Sequence, residues 1–241
     1  MLKIVNTEWK LFLREPAMVV FAVFFPTILL LVLGAIPALR TPDPQFGDQR
    51  FIDSYVSTLI VIALAFLGLN KLPSTVATYR EKGVLRRFST TPVHPARLLL
   101  AQLVVNVVAG VISVVLLMAV SRLVFDIDLP HHPLGFGVTC LLGMVSLSAL
   151  GLLVAAWAPT ARSAGGWATV VFMLVMFFGG AYLPRFLLPE FLVRVGDYLP
   201  PGVAALQEGW LGSAPDPVQL AILALTALVA GTVAAKSFRW E

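Results

Sequence analysis

Charged side chains are what this chain has least of. Asp, Glu, Lys and Arg make up 12% of its 241 residues, where an ordinary soluble domain carries roughly a quarter. With 59% hydrophobic residues and a mean hydropathy of +0.90, it reads as an integral membrane protein of one continuous domain. Cysteine is nearly absent. The single Cys140 lies in an apolar stretch and excludes an intramolecular disulfide. Histidine is sparse too: His131 and His132 stand at a turn, and His94 precedes Pro95 at a helix start. These are turn and cap positions, not a metal set. No Walker A glycine loop is present, so the chain does not bind and hydrolyse ATP in that way. There is no HExxH and no paired-cysteine metal spacing. The apolar segments hold almost no ionisable residues, which proton- and ion-coupled pumps require. That argues against an ion-driven transporter and for an apolar or amphipathic substrate. The net charge of +4 does not point to nucleic acid, because the basic residues sit at the ends of apolar runs, where topology accounts for them. The polar start of the chain leads us to expect no cleavable signal peptide.

Long uncharged runs are present instead. Residues 2–15 come first, with Leu2, Val5, Trp9, Phe12 and Leu13 at spacings of three and four and Lys3, Thr7, Lys10 and Arg14 on another face. That predicts an amphipathic helix lying at a membrane surface. Pro16 then opens a first span over 17–36, which Pro26 is expected to kink. Further spans are predicted over 54–72, 98–121, 134–158, 163–183 and 217–235. Lys71 is expected to snorkel at the end of the second. Asn106, Ser113, Ser146 and Ser148 either face a route or hold helices together. Residues 184–216 are too apolar for a solvated loop and are cut by prolines. Glu190, Arg194 and Asp197 argue against further spans, since a charge at the bilayer centre costs about 2.5–3.5 kcal/mol. One or two short helices dipping into the outer interface are expected there.

Six spans put both termini on one side. Lys and Arg divide 12 to 5 in favour of the side holding the termini, the loop after span two and the turn at Arg162. The positive-inside rule makes that side cytoplasmic. The other side is acidic, with Asp43, Asp48, Asp53, Asp126 and Asp128 among its residues.

The densest charge lies in the loop 79–92, YREKGVLRRFSTTP. Gly83 can end one helix in a left-handed cap. Residues 84–89 can then form a short amphipathic helix, with Arg86 and Arg87 outward and Val84, Leu85 and Phe88 as its apolar face. Held between two spans, such a helix works as a lever. A topogenic basic loop touching anionic lipid is the plainer reading.

The run Arg80-Glu81-Lys82-Gly83-Val84-Leu85-Arg86-Arg87, with Thr91-Pro92-Val93, resembles the signature loop of the ABC-2 type permeases, the membrane subunits of ATP-binding-cassette exporters, including those of the daunorubicin-exporter kind. The resemblance extends over the whole chain, from the interfacial helix through six spans to the long segment before the last. There Pro200-Pro201 stands where the family has an Asn-Pro-like turn. The resemblance implies an all-α integral membrane fold with a cytoplasmic coupling helix between spans two and three and re-entrant external helices between spans five and six. It implies that the coupling helix docks on a separate ATP-binding subunit, present in two copies. Arg80, Glu81, Lys82, Gly83, Arg86 and Arg87 would supply that contact, with Val84, Leu85 and Phe88 packed into the partner. ATP and Mg would be held by the partner, and no cofactor by this chain. Six spans are half a pathway, so a second permease subunit, identical or a sister chain, is implied.

The expected function is export of a hydrophobic or amphipathic molecule, such as a drug or lipid, across a prokaryotic plasma membrane. The path would run at the dimer interface beside spans one, two and five. Phe24, Phe25, Phe66, Phe172, Met173, Met176 and Phe177 are its candidate lining. A lipid-modifying membrane enzyme, with Asp126 and Asp128 as its best acidic pair, and a non-transporting assembly subunit are the alternatives.

Overall fold

The computed structural model describes residues 1–43, 49–84, 96–182, 188–211 and 213–237. All regular structure among them is helical except a two-residue antiparallel pairing of β1 (Pro42–Asp43) with β2 (Gln49–Arg50). Six helices are long and apolar enough to cross a membrane. The helices are α1 (Leu2–Leu13), α2 (Pro16–Gly34), α3 (Phe51–Glu81), α4 (Ala96–Phe125), α5 (Pro133–Trp157), α6 (Ala161–Phe178), α7 (Glu190–Asp197), α8 (Val203–Leu211) and α9 (Pro217–Ser237). Met1 and Ser237 mark what we call the terminal face; the opposite end is the far face.

Two spans carry a π-turn just before a proline. In α2 it covers Val20–Phe24, ahead of Pro26; in α3 it covers Phe66–Lys71, ahead of Pro73. A proline cannot donate to the carbonyl four residues back, and its ring presses on that carbonyl. Widening the preceding turn relieves the clash. The disturbance expected at Pro26 thus begins one turn earlier, as the widened turn at Val20–Phe24.

The central span is α3. Ile52, Val56, Leu59, Ile60, Leu64, Leu67, Leu69, Leu72 and Val76 are all buried along its length. At 1.5 Å per residue its 31 residues run about 46 Å, well past a hydrocarbon core of about 30 Å. Small residues set the approach of α5. A Cβ on Gly151 would fall on the carbonyl oxygen of Gly68, within the π-turn of α3, and one on Gly68 would meet Leu147 at 2.8 Å. Without water to drive association, close backbone packing of this kind holds spans together. Ser113 adds a hydroxyl bond to the carbonyl of Val23 at 3.1 Å, joining α4 to α2. Ser146 bonds within α5 to Gly143.

The span boundaries differ from the sequence expectation in places. The helix that carries the second span runs unbroken over Phe51–Glu81, continuing well past residue 72. The fifth ends at Phe178 rather than 183. With 18 residues against 25 in α5, it falls about 10 Å short of the far end of α5. The segment that follows fills this space with two short helices, as expected from its prolines. Gly196 of α7 lies against Phe178. The carbonyl of Pro201 sits where a Gly143 Cβ would be 2.6 Å away, and Gly209 lies against Phe136. So α8 climbs alongside α5 from Gly143 to Phe136, a depth of about 10 Å. It ends against the loop before α5, where the backbone N–H groups of His131 and His132 donate to Trp210 and Gly209.

Candidate functional site

The site is built where α3 leaves the bundle at the terminal face. Arg80 donates to the carbonyls of Ala155, at 3.1 Å, and of Ala158. These are orphan acceptors at the C-terminal end of α5, where a cation is favoured. The next residue does the reverse. The Glu81 carboxylate accepts from the backbone N–H of Ala161 at 2.6 Å, the first residue of α6. An anion at a helix N-terminus answers the opposite end of the dipole. Thr160 and Ser163 complete that cap. Two adjacent residues of α3 thus bolt down the turn joining α5 to α6.

Beyond this bolt the chain turns out of the helix. Lys82 is exposed and Gly83 has φ +65, with its N–H bonded to the carbonyl of Arg80 at 3.0 Å. That is the left-handed cap expected at Gly83. Val84 packs beside Leu72, Val76, Leu98 and Ala155 with Ile4 and Tyr79. Leu85, Arg86, Arg87 and Phe88 lie outside the described residues, as does His94.

Beneath the bolt lies a buried polar network that the sequence reading missed. The Tyr79 hydroxyl donates to Glu8 at 2.8 Å, and the Gln102 amide donates to the same Glu8 oxygen. Lys71 donates to Asn106 at 2.9 Å and to Gln102 at 3.4 Å, and lies 4.6 Å above the ring of Phe12. Asn106 in turn donates to the carbonyl of Leu67 at 3.2 Å, inside the π-turn. Glu8 is 6% exposed, Lys71 3% and Asn106 0%. Lys71 does not snorkel; amides of α4 satisfy it inside the bundle. Burial pushes the Glu8 carboxyl above its ordinary 4.5, while the Tyr79 hydroxyl and the Lys71 charge pull it back. One signal could have found this network. Glu8 shares its helix face with Val5, Trp9 and Phe12, so an acid stands on the apolar side of α1. Gln102 and Asn106 are likewise one turn apart on α4.

The residues expected along a path are only partly brought together. Phe66 stacks on Phe21 at 5.9 Å and meets Phe172 edge-on at 6.4 Å; Phe25 joins through Phe21 at 5.7 Å. An aromatic strip therefore crosses α2, α3 and α6, with Phe21 as the member not foreseen. Phe24 and Met173 are exposed on the same two outer spans, Phe177 packs on Phe178 at 5.4 Å, and Met176 is buried in the core.

At the far face, Arg122 reaches Asp126 at 2.9 Å and Asp128 at 3.3 Å. The best acidic pair for a lipid-modifying enzyme is thus already engaged by a cation. Among the described residues, no three His, Cys, Asp or Glu side chains gather as a metal set. His131 instead bonds the carbonyl of Trp210 at 3.0 Å, and His132 accepts from Gly135 N–H to cap α5.

A family model described as "ABC-2 type transporter" matches residues 2–206. A protein of Bacillus subtilis (strain 168) named "Putative transport permease YvfS" is 23% identical over 194 residues, which cover 80% of this chain and 77% of that protein. No solved structure matches.

Proposed function

The chain belongs to the ABC-2 type transporter family, and on that premise we propose that it is one half of the path of an ATP-driven exporter. Family membership makes it a multi-pass transport permease that associates with an ABC ATP-binding subunit. The finer reading concerns how they work together. Two ATP-binding subunits dock on the loops 79–92 of two permease chains, identical or sister, with the terminal face in the cytoplasm of a prokaryote. The partner holds ATP and Mg, and this chain holds no cofactor. A hydrophobic or amphipathic substrate, such as a drug or lipid, passes outward between the chains, beside the aromatic strip of α2, α3 and α6.

One observation carries this reading. Arg80 and Glu81, at the root of the loop, grip the ends of α5 and α6. A push on the loop therefore reaches three spans at once, and a fourth through the chain that continues into α4. Just below, the network of Glu8, Lys71, Tyr79, Gln102 and Asn106 ties α1 to the same lever.

The test is co-purification from the native membrane, with and without Arg86→Glu and Arg87→Glu, assayed for ATP hydrolysis. An ATP-binding subunit and its activity should accompany the native chain and be lost with the double reversal. Arg80→Ala should keep the partner but weaken the stimulation of its hydrolysis by substrate. If no ATPase accompanies the native chain, the lever has no engine and the loop is a topological signal only.

A further inference from the structure

Between α4 and α5, on the other flank of α3 from the aromatic strip, lies an apolar groove of about 530 Å³. Its floor is Leu64 of α3. Val107, Val111 and Val115 of α4 and Gly137, Cys140 and Met144 of α5 form its walls. Among the described residues, no charged side chain lines it, and neither does any residue expected along the path. Its volume falls in the range of small-molecule sites, roughly 300–1,000 Å³. Val111, Val115 and Leu141 at its rim are exposed on faces of spanning helices, so it opens toward hydrocarbon rather than water.

We propose that this groove holds one acyl chain of a phospholipid from the leaflet at the far face. Length is the first argument. Val107 to Met118 on α4 and Pro133 to Met144 on α5 each cover about 16 Å of helix rise. Half of a hydrocarbon core is about 15 Å. The groove therefore begins at the membrane surface, under Leu129 and Pro130, and ends near the midplane, which is the extent of one chain. The second argument is solvation. Water does not enter a dry apolar space, and in a bilayer the neighbouring molecules are chains. The third is what stands above it. One turn beyond Met118, Arg122 with Asp126 and Asp128 forms an exposed cluster of both signs at headgroup level, suited to a zwitterionic headgroup. A bound chain would fill the gap between two spans that otherwise touch α3 more than each other. This site does not depend on the exporter reading.

The full chain is reconstituted in phosphatidylcholine vesicles in which a minor fraction of the lipid carries a diazirine near the end of its acyl chain. After illumination, cross-links are located by mass spectrometry. They should concentrate on 107–118 and 133–144, several-fold above the exposed face of α9 around Leu225 and Leu228. A Cβ at Gly137 meets nothing within 4 Å, so Gly137→Phe can fill the groove without moving the backbone. It should reduce the groove cross-links to the level of α9 while the thermal midpoint stays unchanged. If that variant proves unstable, Val115→Phe is the second filler. Cross-links spread evenly over all lipid-facing helices, or unaffected by either filler, overturn the proposal. So does linkage of Cys140 to the Cys140 of a second copy by a short bis-maleimide, since a protein surface would then cover the groove.

Discussion

Lys71→Met tests whether the network beneath the lever is a structural unit. Methionine keeps the aliphatic stem against Phe12 and removes the ammonium. Asn106 and Gln102 then lose their donor, at 2.9 and 3.4 Å, and Glu8 is left buried without a cation. Gln102 is the bridge between the two charges, since it accepts from Lys71 and donates to Glu8. Breaking one side of a buried pair costs about 3–5 kcal/mol. For a chain of this size about 1 kcal/mol moves a thermal midpoint by about 2–4 °C, so a fall of about 6–20 °C is expected. Midpoints are compared at one scan rate in the same detergent, because a scan midpoint depends on rate wherever unfolding is irreversible. The decisive measurement is the double variant Glu8→Gln with Lys71→Met. With both charges gone, no buried ion is stranded, and part of the loss should return as a coupling of about 0.5–3 kcal/mol. If the two single losses simply add, the charges do not act as a pair and the reasoning fails.

The Glu8 carboxyl gives a pH signature. Its folded value is raised, so the folded state holds that proton more tightly than the unfolded chain does. The stability this provides is complete below 4.5 and is lost as pH climbs through the folded value; the thermal midpoint should therefore fall as pH is raised from about 4.5, and Glu8→Gln should flatten that dependence. Gly151→Ala should sharply reduce the yield of folded protein, because its Cβ would occupy the place of the Gly68 carbonyl oxygen. Gly110→Ala, whose Cβ would meet only side-chain atoms at 3.5–3.6 Å, should be neutral or gain up to about 1 kcal/mol in a thermal scan. Tyr55→Phe removes a hydroxyl bond to the carbonyl of Ala181, 3.2 Å long, and should cost about 0.5–1.5 kcal/mol; no change would mean that this tie between α3 and the segment after α6 carries no load.

What the sequence made legible was what is written locally. Hydropathy runs of about 20 residues located the six spans, proline spacing divided the segment after α6, and a glycine inside a charged run marked the cap at Gly83. What stayed hidden depends on pairing across the chain. Lysine at the end of an apolar run usually marks a membrane edge, and Lys71 departs from this because two amides more than thirty residues later bond it. Arg80 and Glu81 were expected among the contacts to an ATP-binding partner, and their inward bonds depend on where the α5–α6 turn falls, some 75–80 residues on. The π-turns were half visible: the prolines predicted a disturbance but not its form. The aromatic strip was found in part because Phe25, Phe66 and Phe172 were chosen as aromatics, whereas Phe21 needed the three-dimensional neighbour to reveal it.

The tie between Glu8 and Gln102 spans 94 residues, and this orders the assembly of the protein in time. α1 is synthesised ahead of the spans it packs on, yet two of them must be laid into the bilayer before Tyr79 can meet its carboxylate, and a third before Gln102 can. Seating α1 is therefore a late event that reports on whether α3 and α4 have come together correctly. Chains released before residue 102 should leave α1 open to protease, and chains released after α4 is complete should protect it.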